Sequence, residues 1–139
     1  NTMIVLMEEH ILTGLNLKKL NRLYSLMKER KSEMKLWIDD VRPAPEGYFW
    51  CKSVNEAKSI IIEYSDKLDF DMNRVDMIEL IDIDHDAGAF AQFGGNYIKL
   101  LDWLEETGRN YPIRIHSMNP VGVENMRRII QRNGWKEAR

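Results

Sequence analysis

Four short apolar runs fix what this chain can fold into. They are Lys35–Ile38, Tyr48–Lys52, Met77–Ile83 and Ile113–Ser117. Each is too short for a globular helix and has the look of a buried strand. Segments of helical period follow the last three. Val54, Ala57, Ile60, Ile61 and Tyr64 form one apolar face, Tyr97, Leu100, Leu101 and Leu104 a second, and Val123, Met126, Ile129 and Ile130 a third. Ser53 and Glu56 make a capping box before the first helix. Asn96 opens the second, which Thr107-Gly108 ends. Asn119 caps the third with Pro120 at its first position, and Asn133-Gly134 closes it. Two prolines and a glycine make 41–47 a loop. The polar stretch 65–74 reads as a loop or frayed helix end, and 87–94 as a loop of small residues. The order β-loop-β-α-β-α-β-α predicts an α/β fold on a mainly parallel four-stranded sheet.

Composition narrows the class. With 139 residues, one globular domain is the expectation, and 44% hydrophobic residues suffice for a core. Twenty Lys+Arg against 22 Asp+Glu give a net charge of −2, so nothing in the bulk charge draws the chain to DNA or to a membrane surface. One cysteine, Cys51, excludes an internal disulfide and a multi-cysteine zinc site and fits a reducing, cytoplasmic setting. No apolar run is long enough to span a bilayer, and the first nine residues lack the basic start of a secretory signal.

Residues 1–33 differ from the rest. Leu17, Leu20, Leu23, Tyr24 and Met27 recur at helical spacing among lysines and arginines, which predicts an amphipathic N-terminal helical extension. Packing on the domain or on a second copy is the reading for it, so a homodimer through this helix is one expectation. Residues 34–139 form the α/β domain.

The chemistry gathers at strand ends, where open α/β sheets bind ligands. Asp39 and Asp40 follow the first run, Asp84, His85 and Asp86 the third, and His116, Ser117 and Asn119 the fourth. Clustered carboxylates repel unless a cation sits among them. Asp39, Asp40, Asp84 and Asp86 would supply hard oxygen ligands for a divalent metal, Mg²⁺ or Mn²⁺ first, with histidine widening the choice. Equally, Asp39 and Asp86 could cap turns. His116 and His85 suit proton transfer, although His116 could be a core histidine satisfied by a carbonyl. Asp82, among isoleucines, needs a partner and could find a cation or join the chemistry. Arg42 and the helix starts near Gly95 and Asn119 offer anion contacts.

Three strings carry a family resemblance: Leu36-Trp37-Ile38-Asp39-Asp40-Val41-Arg42-Pro43, Asp84-His85-Asp86-Ala87-Gly88 and His116-Ser117-Met118-Asn119-Pro120-Val121-Gly122. Together and in order they resemble the cyclic-phosphate-processing receiver domains, whose strands end in DDxRxxP, DHDLG and HSxNPxG. The resemblance covers about Met34 to Trp135. It implies a small flavodoxin/receiver-like three-layer fold and a role in handling cyclic or terminal phosphates of nucleotides or RNA. By motif position, Asp39 and Asp40 match the acids that hold a divalent metal in receivers, Asp84 the strand-end acid that receivers phosphorylate, and His116, Ser117 and Asn119 the HSxN element. Ala87 stands where the family has leucine, residues 1–33 have no counterpart, and the fifth strand and lysine of a signalling receiver are lacking. Ordinary phosphorelay is therefore not expected.

The leading expectation is a metal-dependent phosphoesterase with Asp39, Asp40, Asp84 and Asp86 at the metal. His116, His85 and Asp84 would be catalytic, and Arg42, Ser117, Asn119 and Gly95 would sit at the phosphate. Its partner would be a phosphate-bearing small molecule or an RNA end. The competing expectation is a module that binds a phosphorylated ligand or protein without chemistry.

Overall fold

The computed structural model describes residues 34–139, together with Lys18. The expected N-terminal helix and any dimer built on it lie outside the described residues.

Four strands make one sheet: β1 (Met34–Ile38), β2 (Tyr48–Cys51), β5 (Ile78–Ile83) and β6 (Ile113–Ile115). Their order is β2-β1-β5-β6 and every pairing is parallel, as the sequence predicts. Three helices follow the expected segments: α1 (Val54–Ser65), α2 (Ile98–Glu106) and α3 (Pro120–Asn133). The α1 cap forms as expected, with Ser53 Oγ accepting the Glu56 N–H at 3.1 Å. Losing such a cap costs about 1 kcal/mol. Ser53→Ala is therefore expected to lower stability by that amount, read as a fall in the urea midpoint at constant m-value.

Local details differ from the sequence reading. The stretch after α1 is not plain loop: β3 (Lys67–Leu68) pairs antiparallel with β4 (Arg74–Val75). Asp69 makes that turn by accepting the Asp71 and Asn73 N–H groups. A 3₁₀ helix, Gly88–Phe93, fills the small-residue loop. α2 begins at Ile98 rather than Asn96, whose side chain accepts the Ala87 N–H.

Register settles which residues share a face. Leu36, Ile81 and Ile113 align across the sheet, as do Ile38, Ile83 and Ile115. These residues pack with Val54, Ala57 and Ile61 of α1, Leu100, Leu101 and Leu104 of α2, and Met126, Ile129 and Ile130 of α3. All three helices thus cover one face, and the described residues supply two of the three layers expected. Cys51 is buried in the same core. Burial, and then the charge of Glu56, push its thiol up to about 12, so it stays un-ionised.

The opposite face carries Trp50, Trp37, Asp82 and Arg114 in one aligned row. A parallel pair cannot be closed by a hairpin and ordinarily takes a helical crossover. Between β1 and β2 the crossover is instead the bare loop 39–47. Two tryptophans pin it: Trp37 Nε1–H donates to the Arg42 carbonyl at 2.9 Å, and Trp50 Nε1–H to the Asp39 carbonyl at 2.7 Å. Past β6, one parallel bridge joins Ile113 to Glu137 and seats Trp135 against the core. Among the described residues, no helix is long and apolar enough to cross a membrane.

Candidate functional site

Side chains alternate along a strand, so the residues two past Trp37, Asp82 and Arg114 project on the same side. Those residues are Asp39, Asp84 and His116. The sheet order brings their strands together, and one ligand atom from each of the three lies within 4.8 Å of the others. This is the group that the strand ends assemble.

Asp39 is 1% exposed and fully engaged. Its Oδ1 accepts the Val41 and Arg42 N–H groups at 2.9 and 2.8 Å, which turns the chain out of β1. Its Oδ2 meets His116 Nε2 at 2.9 Å. Burial works to raise its pKa, but the two backbone donors and His116 outweigh that and hold the carboxyl below its usual value. Of the sequence alternatives for Asp39, these bonds show the turn cap, and Oδ2 is left facing His116.

His116 is held on three sides. Nδ1 lies 2.7 Å from Asp82 Oδ1, and Nε2 faces Asp39. Its ring stacks on Trp37, with centroids 3.8 Å apart and planes 3° from parallel. Ionised carboxylates only accept, so both contacts are hydrogen bonds only when both ring nitrogens carry protons. Burial lowers the His116 pKa, yet the two carboxylates more than offset it and the net direction is up. His116 is therefore no carbonyl-satisfied core histidine. Asp82 found its cations: His116, and Arg114 Nη1 at 3.4 Å.

Asp84 Oδ1 accepts the N–H of His85, which bends the chain after β5. That bend breaks the strand alternation and carries Asp86 elsewhere. Asp86 Oδ1 lies 3.0 Å from His85 Nδ1, and its Oδ2 is 3.4 Å from the Asn119 amide nitrogen. The His85 contact, opposed by burial and helped by Asn119, keeps the Asp86 carboxyl below its usual value. Asp86 is thus placed beside His85 rather than in the three-residue group. Asp40 is likewise outside it: its carboxylate lies against Gly88, where a Cβ would collide with Oδ2.

The remaining expected residues have definite posts. Asn119 caps α3 by accepting the Gly122 N–H at 3.0 Å. Ser117 Oγ accepts the Asn119 N–H. Arg42 reaches the His116 carbonyl through Nη1 at 3.3 Å and is exposed. The Gly95 N–H is spent on the Ala91 carbonyl, so it is not free for a phosphate. Sequence reasoning did not single out Trp37 or Gly122. The His85 ring rests against Gly122, in space that any Cβ there would occupy. The two-residue step from Trp37 to Asp39, and the glycine two after the helix's first proline, were the available signals.

The donor set can be tested for a cation by its spacing. Oxygen ligands at about 2.1 Å in an octahedron stand about 3 Å apart. One donor atom each from Asp39, Asp84 and His116 lies within 4.8 Å of the others, so modest side-chain movement that opens the His116–Asp39 hydrogen bond would bring them to that separation. Asp82 on the far nitrogen is the usual support of a ligating histidine. Two carboxylates and one imidazole are donor chemistry that suits a divalent ion.

The sequence model of the cyclic-phosphate processing receiver domain matches residues 34–132. No curated protein matches the chain. No solved structure matches it either.

Proposed function

The chain belongs to the cyclic-phosphate processing receiver domain family, and from that premise we propose that it is a metal-assisted phosphoesterase acting on cyclic or terminal phosphates of nucleotides or RNA. The observation that supports this reading is the convergence of Asp39, Asp84 and His116 at the carboxyl ends of three adjacent strands. Those three residues would hold a divalent cation. When bound, such an ion polarises a phosphoryl oxygen and lowers the pKa of an attacking water.

The two histidines divide the remaining work. His116 has both nitrogens committed and does not exchange a proton with substrate. His85 has Nδ1 on Asp86, which orients the ring, and its Nε2 has no hydrogen-bond partner among the described residues. His85 is the group that moves a proton at the ester oxygen. Arg42, exposed beside the His116 carbonyl, supplies positive charge for the phosphate. The start of α3 contributes chiefly its dipole, since Pro120 has no N–H and that of Gly122 is taken by Asn119.

The test is turnover of 2′,3′-cyclic and 3′,5′-cyclic nucleotides and of RNA ending in a cyclic phosphate, with Mn²⁺ or Mg²⁺ and with chelator. Turnover is expected only with the ion, and His85→Gln is expected to cost roughly 10²–10⁴-fold in kcat. Turnover untouched by chelator, or by His85→Gln, overturns the reading. One observation favours the non-catalytic alternative: the Asp39 hydrogen bonds are complete without any ion. A binding module of that kind would be stabilised by a cyclic nucleotide in a thermal shift while forming no product.

A further inference from the structure

We propose that Asp82 is a positioning residue that makes His116 a metal ligand, and that the site thereby selects Mn²⁺ or Zn²⁺ over Mg²⁺; this rests on the metal-assisted reading above. Asp82 is 2% exposed in the middle of β5, where an ionised group needs strong partners. It has two cations to choose from, and the geometry ranks them. His116 Nδ1 lies at 2.7 Å, whereas Arg114 Nη1 lies at 3.4 Å and also approaches Tyr48 Oη at 3.3 Å. The short bond goes to the histidine.

The surroundings then leave the ring one orientation. Trp37 covers its flat face, and that indole is itself fixed by its bond to the Arg42 carbonyl. The His116 N–H donates to the Ile83 carbonyl and anchors the backbone beneath. With Nδ1–H held on Asp82, Nε2 points at Asp39 and at the three-residue group. Nε2 is thus the ring atom that would face a cation held between Asp39 and Asp84. A carboxylate behind the far nitrogen orients an imidazole and would make it the stronger ligand.

A nitrogen ligand of that kind changes which ion fits. Mg²⁺ favours oxygen ligands and keeps much of its water, while imidazole suits the transition ions. A set of two carboxylates and one carboxylate-backed imidazole is a transition-metal set. An acid serving only to neutralise Arg114 would leave ion choice unchanged when altered.

The experiment uses the full chain with MnCl₂, ZnCl₂ and MgCl₂ alone as probes. Calorimetric affinities are compared for the wild type, Asp82→Asn and Asp82→Ala. The His116 Nδ1–H proton is followed by NMR in metal-free protein and with Zn²⁺. Wild type is expected to bind Mn²⁺ and Zn²⁺ more tightly than Mg²⁺. Asp82→Ala should weaken Mn²⁺ by about 100-fold and Asp82→Asn, which keeps an acceptor and the volume, by about 10-fold. Mg²⁺ should change little. The Nδ1–H signal, slow to exchange in wild type, should persist in Asp82→Asn and vanish in Asp82→Ala. Equal Mg²⁺ and Mn²⁺ affinity in wild type, or Mn²⁺ affinity unchanged in both variants, overturns the proposal. If wild type binds no divalent ion, both the ion selection and the metal-assisted reading fall. The Nδ1–H signal reports the Asp82–His116 contact whatever the turnover, so a folded, ion-selective protein without turnover would remove the phosphoesterase reading alone.

Discussion

Replacing His116 with alanine is expected to destabilise the fold by about 3 kcal/mol near pH 6. His116 is the cation between two carboxylates that are 1% and 3% exposed. Removing one member of a buried charged set costs more than the set contributes, because the survivors remain buried without compensation. The figure is taken at the low end because both acids keep other partners. Asp82 retains Arg114, and Asp39 retains the Val41 and Arg42 N–H groups. Trp37 also loses the ring it stacks on. Urea unfolding with chelator present measures the effect as a lower midpoint at unchanged m-value. A loss under about 1 kcal/mol would mean that the two carboxylates do not need the imidazolium.

The pH dependence of that loss has a definite sign. His116 titrates above its ordinary value near 6.5, so its contribution is complete below 6.5. That contribution fades as pH rises through the elevated native value. Asp39 titrates below its ordinary value near 3.8, so its contribution is complete above 3.8 and fades as pH falls through the depressed value. The difference between wild type and His116→Ala should therefore be largest between about pH 4 and 6.5. It should shrink on the alkaline side, where wild-type His116 becomes neutral, and on the acid side, where the variant's orphaned carboxylates take up protons. Midpoints measured across pH 3–9 test this, and a difference that is flat across the range would contradict it.

Much of this site was legible because strand alternation is strict. Asp39 and Asp84 stand at the ends of apolar runs, and the two-residue steps Trp37–Asp39, Asp82–Asp84 and Arg114–His116 put six side chains on one face. The strands themselves were readable from short apolar runs, isoleucine-rich in β5 and β6 and aromatic in β2, that only a covered sheet face can bury. The loops were not. Asp84 and Asp86 share an alternation phase in the sequence, yet the Asp84–His85 bend sends Asp86 to His85 and Asn119. That bend is a side-chain-to-backbone bond one residue long, and no periodicity announces it. Asp40 was grouped with Asp39 because they are adjacent, but adjacent residues leave a strand in opposite directions. The ladder Lys67–Leu68 with Arg74–Val75 was hidden because two polar-flanked residues per strand carry no pattern. Which cation would satisfy Asp82 depended on β5 and β6 being neighbours, a fact of sheet order rather than of local sequence.

Gly122→Ala is expected to abolish most of the turnover proposed above while leaving divalent-ion affinity intact. Gly122 lies in the first turn of α3, where alanine is ordinarily the better helix former. Propensity alone would therefore predict a gain. Packing reverses it, because the added methyl would fall within collision distance of three atoms of the His85 ring. The ring has no flexible end to withdraw. It must change rotamer, which breaks its contact with Asp86, or push the helix start away and loosen the Asn119 cap. Overpacking of this kind costs about 1–3 kcal/mol. A His85 turned out of place should lose the roughly 10²–10⁴-fold that a positioned acid–base group contributes. The atoms nearest the added methyl all belong to His85, so Mn²⁺ affinity should stay within a few-fold of wild type. The paired measurement separates the two histidines. Loss of turnover with retained Mn²⁺ affinity assigns proton transfer to His85, whereas unchanged turnover in Gly122→Ala would show that the chemistry does not pass through the His85 ring.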